Sequence, residues 1–131
     1  MAKLRHVAMV VEDIEKTAQF YERSFEMKRV RETDTAIGLS DGVVSLVIIH
    51  PSNVNMKDDD RRGLHHVGFQ IDDMEAVSAK VEANGAVYSG VILASGRGPT
   101  TERKYRDPNG QVFDLTSAEY ARDTWHIDVP A

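Results

Sequence analysis

The chain contains no cysteine. Disulfides, thiolate metal sites and cysteine nucleophiles are therefore excluded, and any metal must be held by histidine and carboxylate. Long apolar runs are also missing. The longest, Val43–Ile49, is broken by Ser45 and is far too short to cross a bilayer. There is no excess of positive charge either: the formal charge is −5, which argues against nonspecific nucleic-acid binding, since that needs a basic face to displace counterions. The opening "MAKLRH" has no apolar core before a small-residue cleavage site, so no secretion signal is expected and the expected location is cytoplasmic. "GRGPT" (96–100) lacks the Lys-Ser/Thr pair of a phosphate loop.

What is present is an ordinary globular composition, 41% apolar and 28% charged over 131 residues. That length buries one core but falls short of two independent domains. "LRHVAMVVED" (4–13) and "LHHVGFQIDD" (64–73) match in order at a constant offset of 60, pairing His6 with His66, Val7 with Val67, Val11 with Ile71, Asp13 with Asp73 and Glu15 with Glu75. The repeat organises the chain.

Residues 4–11 alternate as a strand does. Asp13 can cap a helix in "IEKTAQFYERSFEM", whose Ile14, Ala18, Tyr21 and Phe25 share one face. "KRVRET", "TAIGLS" and "VVSLVII" read as strands, the last two joined at the turn "SDG". The second half repeats the order: a strand at 65–71, a helix capped by Asp72 or Asp73 and ended at Gly85, then strands near 86–92, 102–107 and 111–116. The pattern predicts an α+β protein of two βαβββ modules (about 4–50 and 64–117) with a polar linker at 51–63 and a tail at 118–131. "KDDDRRG" (57–63) reads as part of a solvated linker. Each module alone exposes one sheet face, so the two pack together or pair across a dimer; a homodimer is expected.

Strand parity sorts the side chains. Val7, Met9, Val11, Val67, Phe69, Ile71, Phe113 and Leu115 face the helices. His6, His66 and Asp114 fall on the opposite face, with small Ala8 and Gly68 leaving room beside them; His65 is a bystander on the helix side. Two neutral imidazoles and a carboxylate suit zinc, nickel, manganese or ferrous iron.

On "RHVAMVVEDIEKTAQFYERSFEM", "LHHVGFQIDDMEAV" and "YRDPNGQVFDL", the chain resembles the vicinal oxygen chelate superfamily, the group of glyoxalases, bleomycin-resistance proteins and extradiol dioxygenases. The resemblance implies two modules whose sheets curve around a cavity with one divalent metal ion, ligated from the first and last strands of each module. His6 and His66 match the first-strand ligands, and Asp114 stands where Glu is usual. Aligning "DGVVSL" with "NGQVFDL" sets Leu46 opposite Asp114, where a fourth ligand is absent; His50 is a weak substitute. A three-ligand set points to dioxygenase-like chemistry rather than glyoxalase-like lyase or isomerase chemistry. The alternative is a metal-free protein of the bleomycin-resistance type that sequesters a small molecule.

The insertion 94–106 offers Arg97, Arg103 or Lys104, expected to bind an anionic group of a small-molecule substrate. Tyr105 shares parity with Arg103 and is expected to offer its hydroxyl inside the cavity. Trp125 and His126, in a tail without a counterpart in the repeat, pack on the other module, meet a partner subunit or cap the cavity.

Overall fold

A computed structural model describes residues 1–56, 59–93 and 101–128. The first module gives β1 (Lys3–Val10), α1 (Ile14–Phe25), β2 (Lys28–Thr33), β3 (Ala36–Ser40) and β4 (Ser45–Ile49). The second gives β5 (Gly63–Gln70), α2 (Met74–Ala83), β6 (Val87–Leu93), β7 (Thr101–Arg106) and β8 (Val112–Thr116). A third helix, α3 (Ala118–Thr124), lies in the tail. Acidic caps start the two long helices: Asp13 accepts from the Lys16 amide at 2.9 Å and Asp73 from the Ala76 amide at 3.0 Å. Of the two candidate caps for α2, Asp73 performs the role. Gly85, at φ 101, turns the chain away after it.

The strands form one eight-stranded sheet in the order β2-β3-β4-β1-β5-β8-β7-β6. At its centre the repeated strands β1 and β5 run antiparallel, with Val7 opposite Val67. Strand β4 joins β1 in parallel, and β8 joins β5 in the same way. The modules thus meet edge to edge within one chain. The helix face holds Ala18, Leu39, Leu46 and Ile48 under α1, and Ile71, Tyr105 and Leu115 under α2. Phe25, expected inward, is 64% exposed, because α1 ends there and Glu26 turns into the left-handed region at φ 57.

The register corrects one alignment. Gly68 pairs with Asp114, and its repeat equivalent Ala8 pairs with Val47. Val47, not Leu46, therefore stands opposite Asp114. The last-hairpin pair Ser40↔Ser45 encloses a connection one residue shorter than Arg106↔Val112, so matching the turn glycines slips the strands by one. The chemical consequence is the same, since valine is no more a ligand than leucine.

The tail covers the inner face. Ser117 caps α3 through the Tyr120 amide at 3.1 Å. Tyr120, Ala121, Trp125 and Ile127 then form a buried cluster. The Ser40 hydroxyl donates to the His126 carbonyl at 2.9 Å, and the Asp128 amide donates to the Gly42 carbonyl at 2.8 Å, tying the tail to the β3–β4 turn. Among the described residues, no helix is long and apolar enough to cross a membrane.

Candidate metal centre

Strand alternation brings His6 from β1, His66 from β5 and Asp114 from β8 to the buried inner face. One ligand atom from each lies within 4.8 Å of the others. His6 Nε2 and His66 Nε2 are 3.1 Å apart, and His66 Nε2 is 3.3 Å from Asp114 Oδ2. Donors held about 2.1 Å from one ion stand roughly 3.0–3.4 Å from each other in octahedral or tetrahedral geometry, so these two separations suit a shared cation.

The carboxylate gives a second test of fit. Lys104 Nζ donates to Asp114 Oδ1 at 2.6 Å, while Oδ2 is buried and has no hydrogen-bond partner among the described residues. A buried anionic oxygen left bare is costly, and such atoms mark a functional constraint or a missing ion. Here the bare oxygen is the one facing His66. The residues present fit a divalent first-row metal.

Electrostatics prepare the same donors. Burial lowers the His6 pKa to about 4, against a smaller opposing pull from the Glu102 charge. His66 is also pushed far down, first by burial and then by the Lys104 charge. Both imidazoles are therefore neutral near pH 7, the state that ligates. Burial, reinforced by Glu102, raises Asp114 to about 7, although Lys104 pulls the other way. Lys104 also lies 3.7 Å from Glu102, which is itself buried. The Tyr120 phenol is raised by burial and by Glu102.

The room beside Ala8 and Gly68 is taken by the tail. The Trp125 indole stacks on the His6 ring, centroids 4.4 Å apart and planes 7° from parallel. A Cβ on Gly68 would come within 2.8 Å of the Trp125 ring and 2.9 Å of His6 Cβ.

Other expected site residues lie elsewhere. His50 follows the end of β4 and its Nδ1 binds the Ser52 hydroxyl at 2.7 Å and the Ser52 amide at 3.0 Å. Arg103 reaches α2, donating to Ser78 Oγ at 2.8 Å and Glu75 at 3.0 Å. Tyr105 is buried against Phe113 and donates to Glu82 at 3.0 Å. Their shared parity was read correctly, but it is the parity of Phe113 and Leu115, so both side chains face the helix and not the centre. Arg97 lies outside the described residues.

The inner-face residues on β7 are instead Lys104, opposite Asp114 in the register, and Glu102. Sequence reasoning offered Lys104 to an anionic substrate, not to Asp114, and passed over Glu102. The turn "DPNG" held the signal, since a hairpin closed by Arg106 and Val112 puts Lys104 beside Asp114. His65 is not a bystander: its Nδ1 lies 2.7 Å from His66 Nδ1.

The family model described as the glyoxalase/bleomycin resistance protein/dioxygenase superfamily matches residues 3–115. No curated protein matches the chain. Among solved structures, a hypothetical protein from Bacillus halodurans is similar at 16% identity with a TM-score of 0.69, over 88% of this chain and 94% of that one. Methylmalonyl-CoA epimerase from Mycobacterium tuberculosis aligns at 18% identity and TM-score 0.65, over 87% and 86% of the two chains. The Mn(II)-bound glyoxalase from Novosphingobium aromaticivorans aligns at 18% identity and TM-score 0.68, over 88% of this chain but 38% of its own. At these identities the likeness shows the fold.

Proposed function

Because the chain belongs to the glyoxalase/bleomycin resistance protein/dioxygenase superfamily, we propose that it is a divalent-metal-dependent enzyme acting on a small oxygenated organic molecule, with His6, His66 and Asp114 as metal ligands. The observation that carries this reading is the bare Oδ2 of Asp114, aimed at neutral imidazole nitrogen while Lys104 occupies Oδ1. When bound, the ion supplies Lewis-acid polarisation of a substrate oxygen and, if it is iron, redox chemistry.

The chain's own residues do the rest. Lys104 takes one carboxylate oxygen and leaves the other for ligation. Val47 puts a side chain without a donor where a fourth ligand would stand, so three protein ligands leave positions open for substrate. That set supports dioxygenase-like chemistry over a four-ligand lyase or isomerase. Trp125 keeps water from the His6 side. We place the protein in the cytoplasm. In the homodimer we infer, Phe20 and Phe25 would be covered; they stand 56% and 64% exposed.

One observation favours a second reading. An ammonium already neutralises Asp114 and an indole already covers His6, as a metal-free protein that sequesters a small molecule would have them. Elemental analysis of untagged protein, beside a His6→Ala/His66→Ala double variant, decides between them. About one equivalent of iron, manganese, nickel or zinc in the parent and none in the variant is expected. Iron directs the assay to dioxygenation, nickel or zinc to lyase or isomerase chemistry. No metal in either protein even after reconstitution overturns the metal centre and favours the binding protein.

A further inference from the structure

Two side chains outside the ligand set form a hydrogen-bonded line into it. Asp59 Oδ2 lies 3.0 Å from His65 Nε2. His65 Nδ1 lies 2.7 Å from His66 Nδ1. His66 Nε2 lies 3.1 Å from His6 Nε2, and His6 Nδ1 lies 3.2 Å from Ser45 Oγ. Each contact needs one donor and one acceptor, and each neutral imidazole supplies one of each. The direction at one end therefore fixes the direction throughout.

That end is fixed by Asp59. A carboxylate only accepts, so His65 Nε2 carries the hydrogen and its Nδ1 offers a lone pair. His66 must then donate from Nδ1, which leaves Nε2 bare and facing the centre. His6 Nε2 donates to it in the metal-free protein, and Ser45 Oγ donates to His6 Nδ1. The opposite direction would require a doubly protonated His65 and would place a hydrogen on His66 Nε2, 3.3 Å from Asp114 Oδ2.

The upstream residues are held firmly. Asp59 Oδ1 accepts from the Arg61 amide at 2.9 Å in a local turn, which orients the other oxygen. The His65 carbonyl accepts from Gln111 Nε2 at 2.8 Å and from Arg61 at 3.3 Å. The His65 side chain is only 12% exposed.

We propose that Asp59 and His65 are positioning residues that hold His66 in its Nδ1–H tautomer, so that the Nε2 lone pair is presented to the metal. The purpose of this relay rests on the metal-centre reading above; the tautomer itself is a property of the metal-free protein. It assigns a role to the charge run between the modules, because Asp59 comes from that segment.

The test is long-range ¹⁵N–¹H NMR of the metal-free protein, which distinguishes the two neutral tautomers, together with calorimetric titration of Zn²⁺. In the parent, His66 is expected as Nδ1–H. In Asp59→Asn the carboxamide can donate to His65 Nε2, which reverses every bond down the line. His66 then becomes Nε2–H, and Zn²⁺ affinity falls roughly tenfold or more, the range for losing such an outer partner. Asp59→Glu, which restores an acceptor, should return both readouts toward the parent. His65→Ala is the second variant: His66 loses its partner and populates both tautomers.

An Nε2–H His66 in the parent overturns the proposal, as does an Nδ1–H His66 unmoved by Asp59→Asn and His65→Ala. The two readings fail separately. A parent that shows the tautomer switch but binds no metal ion refutes the metal centre and leaves the relay standing. A parent that takes up one equivalent of Zn²⁺ with His66 indifferent to Asp59 does the reverse.

Discussion

The indole of Trp125 lies flat against the imidazole of His6, with 7° between the planes. The contact joins a residue from the tail to a residue of the central strand, and it closes the inner face of the sheet over the candidate ligands. Trp125 is 2% exposed and packs edge-on against Tyr120 as well. Truncating a buried tryptophan costs about 3–5 kcal/mol. Trp125→Ala is therefore expected to lower the unfolding free energy by that amount and to speed metal exchange, because the His6 side is opened. Urea unfolding and chelator-release kinetics check the two effects. Unchanged release in a folded variant would show that the indole does not gate the site.

The same residue is a built-in probe. It is the only tryptophan of the chain, and it touches a proposed ligand. Binding of paramagnetic Co²⁺ or Mn²⁺ should quench its fluorescence and saturate at about one equivalent. The His6→Ala/His66→Ala variant should show no such saturation. Equal quenching in both would place the ion elsewhere.

Gly68 gives a geometric prediction. A methyl group there meets the Trp125 ring and His6 Cβ at less than ordinary contact distance. The neighbours must shift, and overpacking of this kind costs about 1–3 kcal/mol. Gly68→Ala should lower stability by that amount and weaken metal binding, since His6 is one of the displaced groups. A combined Gly68→Ala/Trp125→Phe variant should recover part of the stability, and its failure to do so would locate the crowding on His6 alone.

Acid sensitivity should come from the outer face of the first module. Arg29 bonds Glu15 at 2.7 Å, Glu22 at 2.6 Å and Glu32 at 2.9 Å. Hydrogen bonds from Arg29 and then Gln19 hold the Glu15 pKa below its ordinary value. A carboxylate with a depressed folded-state pKa adds stability that is present above the unfolded pKa and lost as pH falls through the folded one. The Tm deficit of Arg29→Ala should thus be largest near neutral pH and shrink as pH falls below the ordinary glutamate range, through the lowered folded-state pKa of Glu15. A deficit independent of pH would mean that Arg29 acts through packing of its stem.

Much of the centre was legible because strands alternate with period two. That rule, applied to a 60-residue repeat, put His6 and His66 on one face, and applied to β8 it added Asp114. It failed where a neighbour's register or a side chain's reach decides the contact. Lys104 lies beside Asp114 only through the pairing of β7 with β8, and the face assigned to Tyr105 was inverted for want of that pairing. His65 points by backbone parity to the helix side, yet its ring reaches the Nδ1 of His66. Asp59 was hidden in a run of charges that reads as solvated linker. Trp125 has no equivalent in the repeat, so nothing in the periodicity indicated which surface it would cover.

Lys104 offers the sharpest stability test of the centre. Its side chain is 17% exposed, and its ammonium pairs at 2.6 Å with a fully buried carboxylate. Without the ammonium, the buried carboxyl, already raised to about 7, must take up a proton or stay uncompensated, so the loss reaches at most the about 3–5 kcal/mol of a broken buried pair. Lys104→Met should therefore be markedly less stable than the parent in the absence of metal. A divalent cation at Asp114 Oδ2 supplies the missing counter-charge, so adding Zn²⁺ should raise the Tm of Lys104→Met more than that of the parent. Affinity should rise as well, because a nearby positive charge has gone. Thermal melts with and without Zn²⁺ read both effects. If the variant is destabilised but gains no more from Zn²⁺ than the parent does, Asp114 is not a ligand, and the carboxylate exists to hold the lysine.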